Sequence, residues 1–227
     1  MKVYLIGHSH SLDMYHPKEK LADVGAAICI DKHDKAWVSF GDCPNLAAAI
    51  KSGHLSVIEH IALTFLIEDV SRACTHQLVR HRIASYSQLS QRYAKVDADV
   101  TNEWFVTPES IKDNIFIHDK YVDMMDEIAD LYNAMCEDGI PNEDARMILP
   151  NACFTSIVMT MNARAFIEAS TKRVCNKAQW EIRELFKRMR ELIRETFPTV
   201  YKLSGPECTK SGCKEAKPCG KMECSHG

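Results

Sequence analysis

No stretch of this chain is both long and apolar enough to cross a bilayer. The longest uncharged run, residues 147–163, carries Pro150, Asn151, Thr155, Ser156, Thr160 and Asn162, whereas a spanning helix needs about 20 predominantly apolar residues. Residues 1–8 lack the longer apolar core and small-residue cleavage site of a secretory signal, so a cytoplasmic location is expected. Positive charge is not in excess either. Lys and Arg number 28 against 31 Asp and Glu, a net charge of −3, which gives no general attraction for nucleic acid. Neither membrane nor nucleic acid is therefore expected as a partner, and any anion site must be local. A Pro-, Gly- or Ser-rich linker and an internal repeat are also missing up to about Tyr201. The expected organisation is one domain, residues 1–203, followed by a tail, residues 204–227.

What is present suits an ordinary globular protein. Over 227 residues, 46% hydrophobic and 26% charged positions can bury a sizeable core. Residues 3–6 read as a strand, 21–30 as a helix, and 44–51 as a helix with proline near its start and Gly53 shortly past its end. Ile61, Leu63, Phe65 and Ile67 alternate with Ala62, Thr64, Leu66 and Glu68, the period of a strand with one buried face. Residues 71–82 contain no breaker and read as a helix, and 85–93 as a loop running into a short strand. Ile117, Tyr121, Met124, Ile128, Leu131 and Met135 recur at steps of four and three, which predicts a long helix ending before Gly139 with that stripe in the core. Asn142 caps a helix through Ile148. Residues 154–161 read as a strand, 163–174 as a helix, and Ile182, Leu185, Met189 and Leu192 as one face of another, with Trp180 in the core. The chain is thus a helix-rich α+β protein with few strands.

Residues 77–93 concentrate three arginines, a histidine, three serines, three glutamines and two tyrosines in 17 positions. On a helix, residues two apart lie about 200° around the axis, so Arg80 and Arg82 address different things. Gln77 and Arg80 share a helix face, and Ser90 and Arg92 share a strand face. Guanidinium forks and short hydroxyls in this number suit a phosphate or nucleotide, with a solvated basic turn as the alternative.

Arg80-His81-Arg82, then seven residues, then Ser90-Gln91-Arg92-Tyr93 resembles the signature of the flavin-dependent thymidylate synthases. Glu59-His60, Ala145-Arg146 with Leu149-Pro150, Asn162-Ala163-Arg164, and Arg173 followed by Ala178-Gln179-Trp180-Glu181-Ile182 resemble the family's other blocks, in its order and spacing. The resemblance implies a ThyX-like fold, a small mostly antiparallel sheet packed with long helices, assembled as a homotetramer with active sites between subunits. It implies reductive methylation of dUMP to dTMP, with FAD bound, 5,10-methylenetetrahydrofolate as carbon donor and NADPH as reductant. The family's FAD contacts fall on Arg80, His81, Arg82, Gln88, Asn162, Ala163, Arg164 and Glu168. Its nucleotide contacts fall on Gln77, Arg80, Gln88, Leu89, Ser90, Gln91, Arg92, Arg146 and Arg173, those from 88 to 92 coming from a neighbouring subunit. Arg173, His60 and Ser90 are the expected catalytic residues.

The chemistry of these residues constrains their roles. Arg173 stays charged at any working pH, so it can stabilise the N3 anion of uracil but cannot take a proton. Ser90 has no evident base to activate it, and a hydroxyl donor to phosphate is the simpler reading. His60, ahead of a core strand, is either a packing residue or a neighbour of flavin and folate. Ser87 and Gln88 stand where the family often has Asn and Glu. Glu168 stands where it has Asn, within reach of Arg164 one turn earlier. Lys172 and Lys177 add positive charge beside Arg173 and are expected to help hold an anionic ligand.

Of ten cysteines, Cys29, Cys43, Cys74, Cys136, Cys153 and Cys175 are scattered in apolar or helical context, as small core residues would be. Cys208, Cys213, Cys219 and Cys224 cluster in the tail at intervals of five, six and five. Four thiolates can enclose zinc, but the paired two-residue spacing of a zinc signature is missing, and no metal ligand is assigned. A flexible redox-sensitive appendage and two local disulfides remain the alternatives. The reading from a different functional class is a nucleotide- or nucleic-acid-binding regulator that uses the basic segment together with a zinc-binding tail.

Overall fold

A computed structural model describes residues 1–11, 16–32, 41–96, 98 and 103–220. Strand β1 (Lys2–His8) is followed by helices α1 (Lys20–Ile28) and α2 (Pro44–Lys51) and a 3-10 turn (Leu55–His60). Strand β2 (Ala62–Ser71), helix α3 (Arg72–Leu78) and strand β3 (Ser85–Gln88) come next. Helices α4 (Glu109–Lys112), α5 (Ile115–Glu137) and α6 (Asn142–Ala145) precede strand β4 (Phe154–Asn162). Helices α7 (Ala163–Arg173), α8 (Trp180–Ile193), α9 (Pro198–Leu203) and α10 (Cys208–Ser211) complete the order.

The strands form one sheet in the order β1-β2-β4-β3. The Ala163 amide donates to the Ile61 carbonyl at 2.7 Å and the Arg72 amide to that of Cys153 at 3.2 Å. These bonds flank opposite ends of β2 and β4, so the pair runs antiparallel. Leu63, Phe65 and Ile67 are fully buried while Ala62, Thr64 and Leu66 are only partly so, as the period of two requires.

The chain divides into two compact units. Met1–Lys2, Ile67–Val79 and Ser87–Ile157 make the first; Val3–Leu66, Arg80–Tyr86 and the chain from Val158 onward make the second. The first is built on Trp104, Met125, Ala129, Tyr132, Ala145 and Cys153, and the Tyr132 hydroxyl accepts the Val96 amide at 3.0 Å, so that its burial leaves no polar group wanting. Helix α5 has the expected length, but its core face is not the expected stripe. Tyr121, Ile128 and Met135 are partly buried, whereas Ile117, Met124 and Leu131 are exposed, the last two by 53% and 50%. The row at 125, 129 and 132 is also apolar and lies one residue, about 100°, around the helix. With two apolar rows available, tertiary packing rather than periodicity chose between them.

In the second unit Phe65, Phe166 and Phe186 stack in series, with ring centroids 5.8 and 6.2 Å apart. Ile182, Leu185 and Met189 are buried as read, but Trp180, the first residue of α8, is exposed. The Gln179 side chain caps that helix by accepting the Glu181 and Ile182 amides. Neither α2 nor α9 has a capping side chain of its own. Buried Asp23 accepts the Asn45 and Leu46 amides at 2.8 and 2.9 Å, and buried Glu19 accepts the amide and hydroxyl of Thr199 at 2.9 and 2.6 Å. Two carboxylates one turn apart thus supply both helix starts.

Two local expectations are corrected. Helix α3 stops at Leu78, with Val79 as its C-cap, so Arg80 and Arg82 lie beyond the helix and Gln77 and Arg80 share no helix face. The Tyr86 hydroxyl donates to the His81 carbonyl at 2.8 Å and holds the chain in its new direction. The strand at 85–88 comes before the turn at 91–93, so Ser90 and Arg92 belong to a turn and not to one strand face.

Candidate active site

In the second unit the last residue of α7, Arg173, donates its Nε to Nε2 of His81 at 3.0 Å. An arginine Nε–H can only donate, so His81 is the acceptor and its imidazole is neutral, with the proton on Nδ1. Its surroundings enforce this. Burial, followed by the charges of Arg173, Lys172 and Arg80, lowers His81 from 6.5 to about 4. Phe186 packs against the imidazole edge, centroid to centroid 5.8 Å. Two motif blocks 92 positions apart therefore meet at one hydrogen bond. Arg80 and Arg82, exposed on either side of His81, are displayed by a short non-helical segment.

Asn162 is the N-cap of α7, its Oδ1 accepting the Ala165 amide at 2.8 Å, and Ala163 is buried. Arg164 is held by two carboxylates, Glu59 at 2.8 Å and Glu168 at 3.2 Å. The Glu168 pair follows from the spacing. Glu59, 105 positions away, carries no such signal. His60 ends the 3-10 turn and is exposed, and its ring lies so close to Gly25 that a Cβ there would stand 2.9 Å from its Cδ2. Glycine at position 25 is what admits the imidazole.

In the first unit, the Gln77 amide lies 3.5 Å from the Ala73 carbonyl one turn back on its own helix. The Gln88 amide donates to the hydroxyls of Thr75 and Thr155 at 3.0 and 3.3 Å, which fixes it against α3 and β4. Leu89 is exposed. The Ser90 hydroxyl accepts the Arg92 amide at 3.3 Å and so shapes the turn. Gln91 is buried and donates to the Cys153 sulfur at 3.2 Å, an anchor for the segment. Arg92 lies 2.9 Å from Glu143, and Arg146 donates its Nε to the Glu143 carbonyl at 3.1 Å. Glu143 therefore gathers two arginines that the sequence singled out separately. The acidic residues beside Asn142 were the available sign of it.

The chain is similar to known proteins over most of its length. The family described as thymidylate synthase complementing protein matches residues 13–199. A flavin-dependent thymidylate synthase of Geobacter sulfurreducens is 46% identical over 170 residues, covering 74% of this chain and 72% of its own. One from Pyrococcus furiosus is 46% identical over 168 residues, covering 72% and 69%. Among solved structures, the flavin-dependent thymidylate synthase ThyX of Helicobacter pylori, complexed with FAD and dUMP, is similar at a TM-score of 0.72 and 22% identity over 90% of this chain and 100% of that one. The UMP/dUMP methylase PolB of Streptomyces cacaoi, bound with 5-Br dUMP, is similar at 0.72 and 22% over 89% and 93%. The two structures establish the ThyX-like α+β fold, and the regulator reading gains no support. On the strength of the family match and the 46% relatives, this chain belongs to the flavin-dependent thymidylate synthases.

Proposed function

We propose that the chain converts dUMP to dTMP by reductive methylation, holding FAD, taking its one-carbon unit from 5,10-methylenetetrahydrofolate and its electrons from NADPH. The observation that carries this reading is the Arg173–His81 bond, which unites the two blocks that bear the family's flavin and nucleotide contacts. The FAD and dUMP held by the Helicobacter pylori enzyme support the same ligands here.

The donor set suits an anionic flavin nucleotide. Arg80 and Arg82 present exposed guanidinium groups that match a diphosphate, and neutral His81 adds a flat apolar edge. Asn162, Ala163, Arg164, Gln88 and Glu168 complete the proposed contacts, with Arg164 exchanging Glu59 or Glu168 for the ligand. When bound, FAD supplies the hydride that completes the methyl group.

Gln77, Arg80, residues 88–92, Arg146 and Arg173 bind the nucleotide in this reading. Arg173 stabilises the N3 anion of uracil and so raises electron density at C5, the atom that accepts the new carbon. His81, by accepting the Arg173 Nε, fixes the plane of that guanidinium. Arg92 and Arg146 take the phosphate with the Ser90 hydroxyl, once Glu143 yields. His60 borders flavin and folate, and Lys172 and Lys177 hold an anionic ligand. The exposed row Ile117, Met124 and Leu131 on α5 supports assembly into a homotetramer with shared sites. Residues 1–203 form the synthase domain in the cytoplasm and 204–227 an addition to it. Among the described residues no helix is long and apolar enough to cross a membrane.

Tritium release from C5-labelled dUMP tests the reading at the reacting carbon. Release should require both 5,10-methylenetetrahydrofolate and NADPH, in a yellow protein whose flavin absorbance NADPH bleaches. A colourless protein that releases no tritium under any condition overturns it.

A further inference from the structure

The tail does not stand apart from the second unit. Cys208, Cys213 and Cys219 line one pocket of about 290 Å3 together with Cys175, which lies just past the end of α7. Among the described residues the cysteines form no disulfide. We propose that Cys175, Cys208, Cys213 and Cys219 are the four ligands of a zinc ion that clips residues 206–220 to the turn after α7.

Three features of the chain support a tetrathiolate site. First, the segment has no apolar core to order it. Its only helix is the four residues of α10, and its ties to the rest are polar: the Lys210 ammonium to the Thr171 hydroxyl at 3.2 Å and to the Leu203 carbonyl, and the Asn176 amide to the Cys219 sulfur at 3.7 Å. A segment so built draws its stability from a bound ion. Second, left-handed glycines stand beside two of the thiols. Gly212 (φ +82°) precedes Cys213, and Gly220 (φ +73°) follows Cys219. An added Cβ would meet nothing within 4 Å at either, so glycine serves the reversal of the chain and not a close contact. Third, charge is complementary. Four thiolates around a divalent cation carry a net charge of −2, and Lys172, Lys177 and Lys214 line the same pocket, the kind of outer shell that lowers the cost of such a centre.

Zinc fits because four sulfur ligands in tetrahedral array are its preferred structural site and the centre needs no redox partner. Binding exchanges the protons of four thiols for one Zn2+, and the protons pass to solvent with no change of oxidation state. Among the described residues no three His, Cys, Asp or Glu side chains are already gathered as a metal site, so the proposal requires the ion to draw the sulfurs inward. Glu207 is engaged by the Ser211 hydroxyl at 2.8 Å and Lys214 at 3.3 Å, which removes it as a competing ligand. Cys224 lies outside the described residues, and the choice of Cys175 over it is part of the proposal.

The test is elemental analysis of the full-length protein, prepared reduced and dialysed with zinc and then without it. About one zinc per chain should remain, and cobalt in its place should give the visible spectrum of tetrahedral thiolate coordination, which requires no variant. Cys175→Ser and Cys213→Ser should weaken zinc binding on the order of 100-fold or more in a chelator competition, while Cys224→Ser leaves it unchanged. A protein that retains no zinc, one that carries iron with inorganic sulfide, or a Cys175→Ser variant that binds zinc like the wild type each overturns the assignment. A zinc-free protein that still releases tritium from dUMP would sink this inference and leave the proposed reaction standing.

Discussion

Two arginines proposed to serve the same nucleotide have chemically different partners. Arg173 in the second unit is partly buried and donates to a neutral imidazole 3.0 Å away. Arg92 in the first unit is 52% exposed in its side chain and lies 2.9 Å from the Glu143 carboxylate. A bond to neutral His81 leaves the guanidinium charge intact. A bond to Glu143 offsets it, and a phosphate must compete with that carboxylate for Arg92. The first arrangement gives a fixed field for a developing anion, the second a latch that exchanges one anion for another.

The widest separation between the two should appear on truncation. Arg173→Ala is expected to lower kcat for tritium release about 100-fold or more, the size of loss seen when a preorganised charge donor is removed. Arg92→Ala should mainly raise KM for dUMP, by about 10-fold, with kcat nearly kept. Equal losses in the same parameter would erase the distinction. A smaller effect follows from protonation of His81. Its value is about 4 in the folded chain against 6.5 for an ordinary histidine, so between the two the unfolded chain binds the proton more readily. The contribution is complete above about pH 6.5 and is lost as pH falls toward about 4, on the order of 2 kcal/mol once solvent screening of the half-buried ring is discounted. Urea unfolding of wild type and His81→Gln at about pH 7.5 and about pH 5 checks it, and the variant should lose less on acidification. Smaller still, Glu143→Gln should tighten dUMP binding by a few-fold at low salt in calorimetry, because an exposed pair is weak; weaker binding would mean that Arg92 needs its carboxylate to be held in place. The smallest expected change is for Glu168→Gln. Glu59 still holds Arg164, so FAD affinity in a fluorescence titration should stay within about twofold, and only the double variant with Glu59→Gln should shift it.

The same contrast separates what was readable in the sequence from what was not. Strand β2 announces itself by alternation, β4 by composition, and the Arg164–Glu168 pair by a spacing of four, because these depend on neighbours along the chain. The motif arginines were singled out as a group for the same reason. The partners that set their electrostatics, Glu143 for Arg92 and Glu59 for Arg164, lie 51 and 105 positions away, where no local period reaches. The end of α3 was hidden because Val79, Arg80 and His81 tolerate a helix, and what diverts the chain is the Tyr86 hydroxyl on the His81 carbonyl. On α5 the apolar periodicity found the helix but not the side that neighbouring elements would cover. Cys175 looked like an isolated core thiol, and only the folded chain sets it beside those of the tail.

Glu19 reaches forward 180 positions to hold the start of α9 at Thr199. On the ribosome this carboxylate must therefore wait for a further 180 residues before its partner emerges. The segments of the first unit, apart from its opening two residues, lie between Ile67 and Ile157, and they can consolidate while the second unit still lacks everything from Val158 onward. Synthesis order and structural order thus diverge: the unit that holds Glu19 is the one that finishes last.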